Sequence, residues 1–275
     1  MKYLKTPLRY PGGKSKAVTK LSKYFPDMSD IKEYREPFLG GGSVAIAITK
    51  QYPDIDIWVN DLYEPLYNFW VELRDNGEYL HNQLAQLKSR YPDQGSAKGL
   101  FLDAKEAVTD ENQKDKDRAV AFYIVNKCSF SGLTESSSFS PQASDSNFSM
   151  RGINFLPEYS RLITNWKITN LSYEQLLCDN RQTFIYLDPP YDIRSNLYGK
   201  RGNMHKGFDH DVFASDCDRF ISPQLVSYNS SQLVCERFKG WEAGEFDHTY
   251  TMRSVGTYMN DQQERKELVL LNYGT

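Results

Sequence analysis

The chain has 275 residues, 40% of them hydrophobic and 25% charged, with a formal net charge of −3, so length permits one large domain or one domain carrying an insertion. No apolar run approaches the roughly 18–20 residues that span a bilayer, and Met1-Lys2-Tyr3-Leu4-Lys5 lacks the apolar core of a signal peptide; the expectation is a cytoplasmic protein without a membrane partner. Cys128, Cys178, Cys217 and Cys235 are as scattered as the histidines His81, His205, His210 and His248, which predicts reduced, mostly buried thiols and no metal site.

In chain order, Arg9-Tyr10-Pro11-Gly12-Gly13-Lys14 reads as a turn opening a helix through Val18 and Leu21 towards Tyr24. A short strand before Pro37 breaks at Phe38-Leu39-Gly40-Gly41-Gly42, and Ser43 suits the N-cap of the next helix. The alternating stretch Ile55-Asp56-Ile57-Trp58-Val59 is a strand ending at Asn60-Asp61, which completes a βαβ unit. Helical spacing of Trp70, Leu73, Leu80, Leu84 and Leu87 marks a helix over 67–87; a charged stretch over 109–118 interrupts it and an apolar helix follows over 119–125. The serine-rich stretch 129–147 reads as an extended loop. Ile168–Leu171, Thr183–Leu187 and Leu225–Asn229 are further strands, the second apolar enough to be buried on both faces. Tyr250–Ser254 and Leu268–Tyr273 are expected to form a closing hairpin.

Glycines between a strand and a helix, as in Glu36-Pro37-Phe38-Leu39-Gly40-Gly41-Gly42-Ser43, let backbone approach a ligand at a helix N-terminus. The same pattern suits NAD, FAD, S-adenosylmethionine or a purely structural turn, although the spacing is not Gly-x-Gly-x-x-Gly. Asp61 stands at the end of the second strand, where an acid accepts hydrogen bonds from ribose hydroxyls. Gly12-Gly13-Lys14-Ser15 imitates the end of a P-loop, but Leu8 stands where that loop needs a glycine, which excludes an NTPase. The specific signal is Asp188-Pro189-Pro190-Tyr191. The amino nitrogen of a nucleobase has its lone pair delocalised into the ring and is a poor nucleophile. The Asp188 carboxylate and the Pro189 carbonyl can accept its two hydrogens, and Tyr191 offers a face for a base to stack on. Basic residues gather beside these segments: Lys2, Lys5, Arg9, Lys14, Lys16, Lys20 and Lys23 precede the first acid, Asp27, and Arg194, Lys200, Arg201, His205 and Lys206 follow Tyr191. Such clusters suit phosphate.

Together, Asp188–Tyr191, the Glu36–Gly42 loop and Arg9–Lys14 resemble the Dam-like (D12 class) adenine-N6 DNA methyltransferases in their α arrangement, glycine loop first. Asn126-Lys127-Cys128-Ser129-Phe130-Ser131-Gly132-Leu133 is similar to a stretch beside the recognition insertion of those enzymes. The resemblance implies a mostly parallel α/β sheet with a terminal antiparallel hairpin. Residues 1–70 and 166–275 would build the catalytic domain, and 71–165 an inserted, mainly helical target-recognition domain. It implies S-adenosylmethionine as cofactor, double-stranded DNA as partner, and base flipping, in the setting of restriction–modification or a phage. Tyr10, Gly12, Gly13, Lys14, Glu36, Pro37, Phe38, Gly40, Gly41, Gly42, Ser43, Asp61 and Asp188 would bind the cofactor, with Lys14 meeting its carboxylate. Asp188, Pro189, Pro190 and Tyr191 would be catalytic; Arg9, Lys14, Lys127, Ser129, Arg194, Lys200, Arg201 and Lys206 would touch DNA. Alternatives from other classes are an RNA adenine, cytosine-N4 or glutamine methyltransferase, and a catalytically silent DNA-binding relative. The stretches Ser136-Ser137-Ser138-Phe139-Ser140-Pro141 and Asn147-Phe148-Ser149 differ from the recognition hairpin of the family's GATC-reading branch, so the target sequence is left open.

Overall fold

The computed structural model describes residues 4–10, 12–130, 137–191, 207–247 and 266–274. Seven strands form one sheet in the order β3-β2-β1-β4-β5-β7-β6: β1 Glu33–Glu36, β2 Asp56–Asn60, β3 Lys167–Thr169, β4 Thr183–Leu187, β5 Gln224–Asn229, β6 Glu242–Asp247 and β7 Lys266–Leu271. β1 to β5 are parallel, whereas β7 runs antiparallel between β5 and β6. The mostly parallel sheet with antiparallel terminal strands is the expected architecture. One element of the closing hairpin differs. Its outer strand is Glu242–Asp247, a largely exposed edge strand of sequence EAGEFD that carries no apolar alternation, and Tyr250–Ser254 lies outside the described residues. The order of connection reverses between β1 and β4, and open α/β sheets leave a crevice at the carboxyl ends of strands at such a point.

Strand alternation divides the core in two. Tyr34, Phe184, Tyr186, Leu225, Val269 and Leu271 face α1 (Val18–Leu21) and α2 (Ser43–Gln51), together with a helical layer. Ile185, Leu187, Val226, Leu268 and Leu270 face α9 (His210–Asp218) and α10 (Gln232–Arg237). The helical layer lies between β2 and β3 in the chain: α3 Glu64–Arg90, α4 Gln94–Ala107, α5 Asp115–Cys128, α6 Pro141–Ser146, α7 Met150–Asn154 and α8 Leu156–Leu162. It shares one continuous core with the sheet through Phe69, Trp70, Leu73, Phe122 and Tyr123. α3 kinks at Asn76 (φ −131°), and at the next residue, Gly77, an added Cβ would stand 2.4 Å from Ser160 of α8, so only glycine permits that crossing. α4, capped by the Asp93 side chain, and the short helices α6 to α10 are those that periodicity did not isolate, and α6 lies inside the stretch 129–147 that read as an extended loop. Cys128 and Cys217 are buried as expected, Cys178 is half-buried and Cys235 is exposed.

The turn after β1 is held by glycine. Gly42, not Ser43, is the N-cap of α2, in the left-handed region at φ 66°. Ser43 is the first helical residue and its Oγ lies 2.9 Å from that of Ser15. A Cβ at position 42 would stand 2.7 Å and 2.8 Å from ring carbons of Trp70. That ring is fully buried, packed on Trp166 and pinned by its Nε1–H donating to the Gly40 carbonyl at 3.1 Å, so it has no room to yield. Gly42→Ala is therefore expected to lose about 2–4 kcal/mol of stability, from left-handed strain plus overpacking. Chemical denaturation reads the loss, and less than about 1 kcal/mol would contradict it.

Candidate active site

A cavity of about 350 Å³ opens at the switch point, within the range of small-molecule sites. Its wall contains Tyr10, Gly12, Gly13, Lys14, Glu36–Val44, Asn60–Tyr63, Leu171–Glu174, Asp188–Tyr191, Gly207–Asp209 and Val212. Every residue that the sequence nominated for the cofactor therefore lies on one surface. Among those missed, Tyr173, Glu174, Phe208, Asp209, Leu62 and Val212 follow β2 and β3 or belong to α9 and its approach. The rule that carboxyl ends of parallel strands form the crevice could have nominated Tyr173, because β3 was legible.

Part of the cavity wall is aromatic. Phe38 stacks on Tyr173 with centroids 5.6 Å apart and meets Phe208 edge-on at 5.8 Å. The Tyr173 hydroxyl donates to Asp216 at 2.8 Å, which fixes that ring. Tyr10 packs against the glycine loop so closely that a Cβ on Gly40 would stand 2.9 Å from its ring. Asp61 is buried, and both its oxygens accept backbone N–H groups, from Gly40 at 2.9 Å and Tyr63 at 3.0 Å. It thus braces the glycine loop as well as facing the cavity, and burial pushes its carboxyl up to about 6.

Glu36 is 2% exposed and accepts from the Tyr34 hydroxyl at 2.6 Å and from the Ala45 backbone in the first turn of α2. It does the capping that the sequence had suggested for Ser43. Desolvation, with the charge of Asp188 added, lifts it to about 8, so it is protonated at neutral pH.

Four strands carry polar groups in or beside their ends on one face of the sheet. Two residues beyond Tyr34 comes Glu36, beyond Tyr186 comes Asp188, beyond Leu225 comes Ser227, and two before Val269 comes Glu267. Lys14 reaches into this group from the N-terminal turn. It is 3% exposed, and its Nζ donates to Asp188 Oδ1 and Oδ2 (both 2.7 Å), the Tyr191 hydroxyl (2.8 Å) and the Gly12 carbonyl (3.1 Å). Glu267 Oε1, fully buried, lies 3.3 Å from Nζ and accepts from the Tyr191 hydroxyl at 2.7 Å. Ser227 Oγ donates to Asp188 Oδ1 at 3.1 Å and is itself 2.8 Å from the Tyr186 hydroxyl. Desolvation raises the Asp188 carboxyl to about 6, with Lys14 pulling it down and Glu267 pushing it up. Among the described residues none donates to the Pro189 carbonyl.

Lys14, then, points at Asp188 rather than out to a ligand's carboxylate. Lys14, Lys127 and Ser129, which the resemblance would place at DNA, are all buried. Lys127 lies on a helix buried all round, over the Tyr123 ring at 5.2 Å, and burial with Arg9 nearby lowers it to about 8. Arg9 is half-buried; its Nη1 donates to the Ser129 carbonyl at 2.9 Å, and its backbone clamps the Asn126 amide at 2.9 and 2.6 Å. Arg194, Lys200, Arg201 and Lys206 lie outside the described residues.

The charges on the cavity wall decide what kind of ligand it suits. Among the described residues, five acids, Glu36, Asp61, Glu174, Asp188 and Asp209, face one lysine, itself paired with Asp188. With Glu36 neutral the wall remains acidic. Polyphosphates are repelled by such a wall, while a ligand joining a nucleoside to a cationic group fits both it and the Phe38–Tyr173 stack.

Comparison with known proteins agrees with this geometry. The family model described as D12 class N6 adenine-specific DNA methyltransferase matches residues 10–252. The type II methyltransferase M1.LlaDCHI of Lactococcus lactis subsp. cremoris is 23% identical over 97% of this chain and 94% of its own. M.MjaIII of Methanocaldococcus jannaschii is 25% identical over 67% of this chain and 68% of its own. M.CviBI of Paramecium bursaria Chlorella virus NC1A is 21% identical over 98% of this chain and the whole of its own.

Proposed function

The chain belongs to the D12 class of N6 adenine-specific DNA methyltransferases, and from that premise we propose that it transfers the methyl group of S-adenosylmethionine to N6 of an adenine flipped out of duplex DNA. The observation that carries this reading is the acidic cavity closed at one end by Asp188 and the open Pro189 carbonyl. S-adenosylmethionine supplies an electrophilic methyl on a sulfonium, a cation that such a wall favours. Tyr10, Phe38, the Gly40–Gly42 backbone, Asp61 and Tyr173 would hold it; Glu36 would act through the helix that it caps.

The chain's own work is positioning. Asp188 and the Pro189 carbonyl accept the two amino hydrogens, which favours a more tetrahedral nitrogen with an available lone pair. Tyr191 gives that base a face to lie against. The helical layer between β2 and β3 would read the DNA sequence, with Arg9 and the basic segment that follows Tyr191 meeting phosphate. The type II names of the relatives favour a place in restriction–modification.

The protein incubated with tritiated S-adenosylmethionine is expected to label duplex DNA, with the label recovered in N6-methyladenine, and to leave structured RNA unlabelled. The acceptor carboxylate is lost on protonation, so turnover should fall as pH drops through about 6, the value to which burial lifts Asp188. Label in RNA alone, or in cytosine, would overturn the reading.

A further inference from the structure

We propose that Glu267 is a positioning residue for methyl transfer: it offers Lys14 a second carboxylate, so that the ammonium can leave Asp188 when the substrate amino group arrives. The proposal rests on the adenine-methylating reading of the site. It begins from an excess of acceptors. An ammonium has three hydrogens, yet Lys14 Nζ has five acceptor atoms within 3.3 Å: both Asp188 oxygens, Glu267 Oε1, the Tyr191 hydroxyl and the Gly12 carbonyl. Both Asp188 oxygens stand at 2.7 Å, and Oδ1 also takes the Ser227 hydroxyl. The carboxylate that must accept amino hydrogens is therefore already bridged by a cation.

Removing that cation from Asp188 with nowhere to go would strand a buried charge. Glu267 removes the difficulty. It lies 3.3 Å from Nζ, fully buried, on the same face of the sheet as Asp188 and Ser227. A shift of a fraction of an ångström shortens that ion pair to the length of the one with Asp188. The Tyr191 hydroxyl already links the two partners, donating to Glu267 while it accepts from Lys14. Base stacking on Tyr191 and release of Asp188 are in this way joined through one hydroxyl. Glu267 is also the residue that an apolar strand least explains: in Lys-Glu-Leu-Val-Leu-Leu it is the one charged side chain turned to the core.

The test is Glu267→Gln, which keeps an amide oxygen for the Tyr191 hydroxyl but no charge. Among the described residues, the groups facing Asp188 are Lys14 from the N-terminal turn, Tyr34 and Glu36 from β1, Ser227 and through it Tyr186, Tyr191, and Glu267 itself. Of these only Glu267 is altered. Turnover is expected to fall at least about tenfold, with KM for S-adenosylmethionine within about threefold, because the loss falls after binding. The acid limb of kcat should move to lower pH: a like charge has gone and Lys14 no longer leaves Asp188. Wild-type turnover, or slower turnover with the limb in place and a lower melting temperature, overturns the proposal. Glu267→Asp keeps the charge and should return the limb to its wild-type pH; a limb displaced equally in both variants also overturns it. If the glutamine variant does not fold, Glu267→Asp decides alone: withdrawing the carboxylate by one methylene should lower kcat at least about threefold, and unchanged kcat rejects the role. A wild-type protein that methylates no adenine in DNA would defeat the underlying reading instead.

Discussion

Asp188→Ala is expected to abolish methyl transfer, by at least about a hundredfold, while methyl-donor binding stays within about tenfold, or about 1.4 kcal/mol. The two effects separate because Asp188 stands at the floor of the cavity, one-fifth exposed, whereas the aromatic stack and the glycine loop lie along its wall. The variant should also fold well. In the wild type one buried ammonium stands between two carboxylates, and burial, with the charge of Glu267 added, raises Asp188. Taking Asp188 away leaves Lys14 paired one to one with Glu267, still hydrogen-bonded to the Tyr191 hydroxyl and the Gly12 carbonyl. A melting temperature close to wild type with turnover gone is the predicted combination. Tritium transfer to duplex DNA and calorimetric titration of the donor measure the two halves, and turnover near that of wild type would reject Asp188 as the acceptor.

Much of this was readable in the sequence where one signal sufficed. β4 is near-continuously apolar and buried on both faces, so Thr183–Leu187 was evident, and with it the strand end that delivers Asp188. The glycine run after β1 announced a close backbone approach, and at Gly42 the left-handed φ requires it. What stayed hidden depends on neighbours distant in the chain. Glu242–Asp247 is a strand because β7 pairs with it, not because of its own pattern. Lys127, which the resemblance would place at DNA, lies on α5, and burial of that helix on every side depends on its neighbours. Lys14 gave no sign that its partner was 174 residues away. Glu267 had a faint signal, a lone acid at an inward position of an apolar strand, and only the pairing of β7 with β5 shows what it meets.

Lys14→Met reverses the logic of the alanine variant and is expected to be the most destabilising change at the site. Methionine fills the place of the lysine stem, so packing is nearly preserved and the effect isolates the charge. Asp188 and Glu267 would then share an interior site with no cation between them. Breaking a buried pair in this way costs about 3–5 kcal/mol, and the lower half of that range applies because one-fifth of Asp188 is exposed. The deficit should depend on pH in a direction that the geometry sets. Removing Lys14 takes away the strongest influence that pulls the Asp188 carboxyl down, so its folded-state value climbs beyond about 6, further above the unfolded one. A carboxyl with a raised folded value binds its proton more tightly in the folded protein. Stability is then lowest above the raised value and recovers as pH falls towards the unfolded value. Urea denaturation at pH 8 should show the full loss, and at about pH 5 a much smaller one, because there Asp188 is neutral in the variant. An equal deficit at both values would mean that Lys14 stabilises the fold through its stem, and the two carboxylates would then have to be held apart by something other than its charge.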